Sequence, residues 1–249
     1  MRLEIYAELE PSRSGEEIID RLGSLSAIYG RIDIPDIPLG KPSTSSPILG
    51  VYARERFRAD VIVHLRVIDH NIVSLKSIIK TLTYVGVNKI ILLRGDPPTQ
   101  GTICTGHWAP EEAVTYAKGY GAEAGLLISP RKSDMEIIKR AQSHASAYYV
   151  TRLSHETQSR VERVLGLLSE VSPNSVLGLY VVVESERNRR YLQENNIPAI
   201  PLQELPRMLE WAETVGVERV ILSTPGDSHL LMSERLIRLL DGWIKPGKV

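Results

Sequence analysis

Residues 59–94 read ADVIVHLRVIDHNIVSLKSIIKTLTYVGVNKIILLR, and they hold one complete repeat of the architecture. In ADVIVHLRV, Val61, Val63 and Leu65 share one face of an extended segment while His64 and Arg66 share the other, the period of two that marks a strand. NIVSLKSIIKTLTYV then spaces its apolar residues as a helix does, and NKIILLR returns to a short β-rich run. The rhythm extends outward in both directions: LEIYAEL with GEEIIDRLGSL, the weaker strand SAIYGRIDI, and PEEAVTYAKGY after the fourth strand. It continues as AEAGLLI with DMEIIKRAQSH, SAYYVTR with ETQSRVERVLGLLSEV, SVLGLYVVV with ERNRRYLQENN, and RVILST with LMSERLIRLLDGW. IPAIPLQELPRMLEWAETVG forms an excursion before the last strand. Eight strand–helix units in 249 residues predict a (β/α)8 TIM barrel, a single domain over residues 1–249.

An internal echo favours closure. VGVNKIILLRGD from Val85 resembles VGVERVILSTPGD from Val215, 130 residues on, and the copies fall on the fourth and eighth strands. Half-barrel symmetry would produce this spacing, although the same motif is also a common way into any buried parallel strand.

Lys and Arg number 30 against 30 Asp and Glu. That balance leaves no basic stripe to displace counterions from phosphates, so nucleic-acid binding is not expected. Cys104 is the only cysteine, which rules out an intramolecular disulfide or a Cys-rich zinc site. The six histidines show no metal-ligand spacing. MRLEIYAELEP alternates apolar and charged residues, unlike a signal peptide, and no apolar run is long enough for a membrane. A cytoplasmic location is the expectation.

Loops that follow barrel strands build active sites, and the long loop DIPLGKPSTSS, Asp36 to Ser46, follows the second strand. On the first strand Leu3, Ile5, Ala7 and Leu9 should face the helices, which leaves Glu4, Tyr6, Glu8 and Glu10 to the lumen. Glu8 and Glu10 then sit near the C-terminal mouth, where desolvation makes a carboxyl a usable acid near neutral pH. Glu4 reads as a solvated edge carboxylate. By the same parity His64 belongs to the lumen. Arg94, Gly95 and Asp96 occupy the exit of the fourth strand, stiffened by Pro97 and Pro98.

HLRVIDHNIVSLKSIIKTLTYVGVNKIILLRGDPP, His64 to Pro98, resembles the central signature of the methylenetetrahydrofolate reductases. There a His-Leu-Thr strand, an Asp-Arg-Asn helix start and a Leu-Arg-Gly-Asp-Pro-Pro strand end recur. AELEPSRSG is similar to that family's Phe-Glu-Phe-Phe-Pro-Pro, with Glu8 on its glutamate and Pro11 on its first proline. The resemblance implies a (β/α)8 barrel holding FAD at its C-terminal face and passing hydride to the methylene carbon of a reduced folate or related pterin. It implies Glu8 as general acid, Asp96 as a second catalytic group that tunes flavin and folate, and His64, Arg94, Gly95 and Asp96 as flavin contacts. A reduced nicotinamide or another donor would supply electrons.

The later strands depart from that pattern. Ser129, Pro130 and Arg131 replace a Tyr-Pro-Glu, Arg152 stands where a substrate-touching glutamine is expected, and the Pro-Gly-Ile of the seventh strand is missing. These changes imply an altered cofactor (FMN, or none), an altered pterin, or lost activity. Arg152 and Glu10 are the candidate substrate-binding residues, and Arg152 should seek an anionic or carbonyl-rich partner, either a differently substituted pterin or Glu10 itself. Two further readings stand beside the reductase: an accessory barrel serving as partner subunit or homo-oligomer, and a lyase barrel seating a phosphate on Ser223, Thr224 and Gly226.

Overall fold

The computed structural model describes residues 3–10, 15–99 and 108–244. Seven strands follow in order: β1 (Glu4–Glu8), β2 (Arg31–Ile34), β3 (Asp60–Arg66), β4 (Lys89–Leu93), β5 (Glu123–Ile128), β6 (Ala147–Val150) and β7 (Val176–Glu184). A two-residue β8 (Ile200–Pro201) extends the end of β7, and β9 (Arg219–Ser223) lies between β7 and β1. All pairings are parallel, so β1 to β7 with β9 close an eight-stranded (β/α)8 barrel. The helices are α1 (Gly15–Tyr29), α2 (Ser46–Phe57), α3 (Ile72–Tyr84), α4 (Pro110–Gly119), α5 (Asp134–Ala141), α6 (Gln158–Val171), α7 (Arg189–Glu194), α8 (Leu205–Thr214) and α9 (Glu234–Leu239). The predicted excursion before the last strand is therefore β8 followed by α8. Among the described residues no helix is long and apolar enough to cross a membrane.

Local signals set the boundaries. Asn71 caps α3 by accepting from the Ser74 N–H at 2.9 Å, and Leu75, Ile79 and Leu82 bury one helical face. The helix stops where Gly86 turns left-handed at φ 80°, and Val87 N–H reaches back to Leu82 at 2.9 Å. The echo of this segment does the same: Gly216 has φ 79° and Val217 N–H bonds Ala212 at 3.0 Å. β4 and β9, which follow these two turns, face each other across the barrel. SAIYGRIDI is not one strand. Its first four residues complete α1, burying Ser26 and Tyr29, and Gly30 at φ 65° ends the helix so that only Arg31–Ile34 join the sheet.

Strand parity sorts the core into two. Leu3, Ile5, Ala7, Leu9, Ile32, Val61, Val63 and Leu65 pack outward beneath the helices, whereas Tyr6, Ile62, Ile91, Ala147, Tyr149 and Ile221 fill the lumen. The floor of the lumen is ionic. Arg219 bonds Glu4 at 2.8 Å and also grips Glu123, Lys89 pairs with Asp60 at 2.5 Å, and Arg31 reaches Glu4 at 3.3 Å. Glu4 is thus a member of this layer and not the solvated edge group its position suggested. Tyr6 Oη donates to Asp60 at 2.7 Å and Arg219 to Tyr149 Oη at 3.4 Å, tying the ionic floor to the aromatic layer above.

Tyr149 occupies the space that side chains at Gly125 and Gly178 would need, and a Cβ at Gly178 would overlap its ring. Gly178→Ala should therefore cost about 1–3 kcal/mol through overpacking. Tyr149→Leu in the same chain should recover part of the loss in thermal denaturation. An unchanged melting temperature in Gly178→Ala would mean the ring yields freely.

Candidate active site

Above the aromatic layer the lumen turns polar again. β1 and β2 set Glu8 directly beside Asp33 in register, and both side chains are buried, Glu8 at 8% exposure and Asp33 at 0%. Ser223, at the end of β9, donates its hydroxyl to Glu8 Oε1 at 2.6 Å. His64 of β3 places Nε2 2.9 Å from Asp33 Oδ1, an N–H donated to a carboxylate. Glu8 Oε2 and Asp33 Oδ2 have no hydrogen-bond partner. Burial, with the Asp33 charge beside it, pushes the Glu8 carboxyl up to about 8, against the pull of Ser223 and His64. Burial works against a charge on His64, but Asp33, supported by Glu8 and Asp36, holds its pKa above the ordinary imidazole value.

The surrounding loops are tied to the barrel by one buried arginine. Arg66, at the end of β3, donates to Ile37 O at 2.9 Å and to Asp96 O at 2.7 Å, and its guanidinium pairs with Asp69 at 2.9 Å. Its backbone N–H bonds Asp36 Oδ2 at 3.0 Å. Gly95 packs flat against the Arg66 side chain, where a Cβ would collide, and its φ of 88° is available without strain only to glycine. Gly40 is equally tight against Pro97 O, and Thr99 N–H closes onto Gly40 O at 2.9 Å. The loops after β2 and β4 are thereby stitched together.

Between these loops and the ends of β5 to β7 lies a cleft of ≈ 420 Å³. Its apolar walls include Leu93, Leu127, Tyr180, Val182 and Ile197, and His64, Asp96 and Arg152 bring polar groups to it. Ile37, Leu39 and Arg152 line it with left-handed backbone, φ 44°, 57° and 61°, strain of the kind that collects at ligand sites. Another cleft of ≈ 450 Å³ beside β7 and β9 is polar, and its charges are partly engaged with one another, Arg189 with Glu184 at 2.8 Å and Ser185 with Asp227 at 2.7 Å. The first cleft is the better seat for a flat, largely apolar ring system.

The residues expected from sequence divide accordingly. His64, Gly95, Asp96 and Arg152 line one cleft. Glu8 lies next to it, joined through Asp33 to His64, and is not itself part of the cleft wall. Arg94 is exposed and outside the cleft. Arg152 does not meet Glu10: its guanidinium donates to Asn196 O at 2.9 Å, and Nε is buried without a partner. Glu10 accepts the Gly226 N–H at 3.0 Å. That bond and the Ser223–Glu8 bond occupy two of the donors a phosphate would have used, so carboxylates fill the seat the lyase reading required. Pro11, Cys104 and His107 lie outside the described residues. Asp33 and Ser223 were missed as partners of the acid. The alternation of RIDI carries the same inward parity as strand one and would have exposed Asp33, but nothing local in sequence pairs Ser223 with a residue 215 positions away.

A closed parallel barrel with a buried acid at its C-terminal mouth is the class that this fold and site define. Residues 12–119 match the family model of methylenetetrahydrofolate reductase. The match includes His64, Arg94, Gly95 and Asp96 and leaves Glu8, Glu10 and Arg152 outside. In fold the chain is similar to a mutant tryptophan synthase alpha-subunit from the hyperthermophile Pyrococcus furiosus, with TM-score 0.61 and 11% identity over 98% of this chain and 96% of that one. It is also similar to a chain of a designed cube-shaped, highly porous protein cage, with TM-score 0.54 and 13% identity over 98% and 74%. No curated protein matches it in sequence.

The raised pKa of Glu8 makes stability depend on pH. Unfolded, the carboxyl ionises near 4.5, and folded near 8, so the stability it contributes is complete below the lower value and lost as pH rises through the upper one. Glu8→Gln cannot ionise. Its melting temperature relative to wild type should climb across that interval and level off above it. A constant offset from acid to alkaline pH would show that folding does not hold the proton on Glu8.

Proposed function

We propose that the protein is a flavin-dependent oxidoreductase that reduces the methylene group of methylenetetrahydrofolate, or of a related methylene-pterin, to the methyl form. The observation that carries this reading is the buried carboxyl of Glu8, set beside Asp33 and bonded to Ser223 next to an apolar cleft formed in part by the Gly95–Asp96 turn, where burial and Asp33 raise its pKa to about 8. A methylene bridge between two nitrogens resists hydride until one nitrogen is protonated and its C–N bond opens. Glu8 is the carboxyl of the site with a proton to give at neutral pH, and its Oε2 has no competing partner.

The cleft suits a flavin on its own chemistry. Leu93, Leu127, Tyr180 and Val182 offer flat apolar surface, and Gly95 lines the cleft beside them. Arg152 has an unpartnered buried Nε, with Arg131 near enough to depress its pKa after burial has done so, and such a cation pair favours an anionic group. His64, Gly95 and Asp96 would hold the ring system, and Arg152 a phosphate or carboxylate. The chemistry such a bound flavin would supply is hydride transfer, with reduced nicotinamide or another donor as the source of electrons. The chain does the rest: apolar walls exclude water, Asp96 sets the local charge, and Glu8 delivers the proton to the ring nitrogen while Ser223 holds its other oxygen.

Two measurements test this. Purified protein mixed with FAD or FMN should retain a yellow chromophore with altered absorbance, and the reduced form should be reoxidised anaerobically by methylenetetrahydrofolate. Glu8→Gln should bind flavin as wild type does and slow that reoxidation by about 10²–10⁴-fold. Failure to retain either flavin overturns the reading, and wild-type reoxidation in Glu8→Gln removes the acid. Arg152→Gln should weaken flavin binding or shift preference among pterins, and equal values for both would place its guanidinium outside ligand recognition.

A further inference from the structure

The upper lumen holds two carboxyls where the reaction proposed above consumes one proton. Glu8 and Asp33 are register partners on adjacent strands, which sets their backbones about 4.8 Å apart. Each has one oxygen satisfied, by Ser223 and by His64 respectively, and one oxygen buried with no partner. The groups that face them are His64 from β3, Asp36 beyond it, Glu10 after β1 and Tyr149 from β6. His64 is the one cation-forming side chain in that set. Lys89 and Arg219 are engaged at the opposite end of the lumen, with Asp60, Glu4 and Glu123. One imidazolium balances one carboxylate, so a second ionised carboxylate would be buried against a like charge without compensation.

We propose that Asp33 is a positioning residue that keeps the acid's proton on Glu8: the Asp33 carboxyl, bonded to His64, stands beside Glu8 in register and makes the pair of carboxyls carry a single proton between them. This rests on the reading of Glu8 as the general acid and deepens it. When Glu8 gives its proton to the substrate nitrogen, two carboxylates are left facing one imidazolium. Their repulsion then draws one proton from solvent back to Glu8 before the next turnover. One proton leaves on product and one returns, while Asp33 and His64 end as they began. The pair titrates as a unit and not as two independent groups.

The pair can be watched directly, without turnover. In protein labelled with ¹³C-glutamate and ¹⁵N-histidine, NMR titration of the Glu8 carboxyl and the His64 ring is compared among wild type, Asp33→Asn and Asp33→Ser. The serine variant covers the case in which the buried amide does not fold. Removing the Asp33 charge should lower the Glu8 midpoint by about one unit or more. The His64 midpoint should fall with it, because His64 loses its carboxylate partner. The alkaline limb of methylene-pterin reduction should move to lower pH by the same amount. Glu8 and His64 midpoints that stay put in both variants overturn the proposal. Coupled shifts in a protein that reduces no methylene-pterin leave the pair standing and remove the reaction instead.

Discussion

Closing eight parallel strands sends every second residue of each into a lumen with almost no water, and the polar residues among them must find partners there. This chain meets the constraint in layers. Arg219, with Glu4 and Glu123, and Lys89, with Asp60, neutralise the floor. Tyr6 and Tyr149 bridge upward from it, and the Tyr149 ring takes the volume left by Gly125 and Gly178. Among the described residues the top layer of the lumen is left incompletely satisfied, with one oxygen each of Glu8 and Asp33 unpartnered. An incompletely satisfied polar layer is costly in a folding sense.

The cleft beside that layer depends on Arg66. A guanidinium almost wholly buried at the end of β3 needs several acceptors, and it finds them on the β2 loop, the β4 loop and Asp69. The same bonds hold the Gly95–Asp96 turn and the backbone at Ile37 against the barrel. Arg152 lines the cleft from the end of β6, tethered to Asn196 O.

Much of this was legible from periodicity. The alternation in ADVIVHLRV and EIYAE separates lumen from outer core, and each of the eight barrel strands coincides with a β-rich run. Helix ends were harder, because Ala27, Ile28 and Tyr29 look like strand residues in isolation. Tyr29 belongs to α1 because its ring packs beneath the helix layer and its hydroxyl bonds Leu231 O at 2.7 Å, a partner 202 residues away. The cluster around the acid was half legible: Glu8 and His64 announce themselves, whereas Asp33 sits in a four-residue strand too short to show a convincing pattern.

By itself the sequence determined the closed barrel, the inward parity of Glu8 and His64, and the turn at Gly95, since these follow from a period of two and from glycine's freedom at positive φ. Only the tertiary structure decided which inward residues meet. Strand register set Glu8 against Asp33, and closure of β9 onto β1 brought Ser223 to Glu8 and Gly226 to Glu10. Arg152 was turned to Asn196 and away from Glu10. Partners joined across more than two hundred residues have no local signature, because barrel closure, and no preference of either segment, is what makes them neighbours.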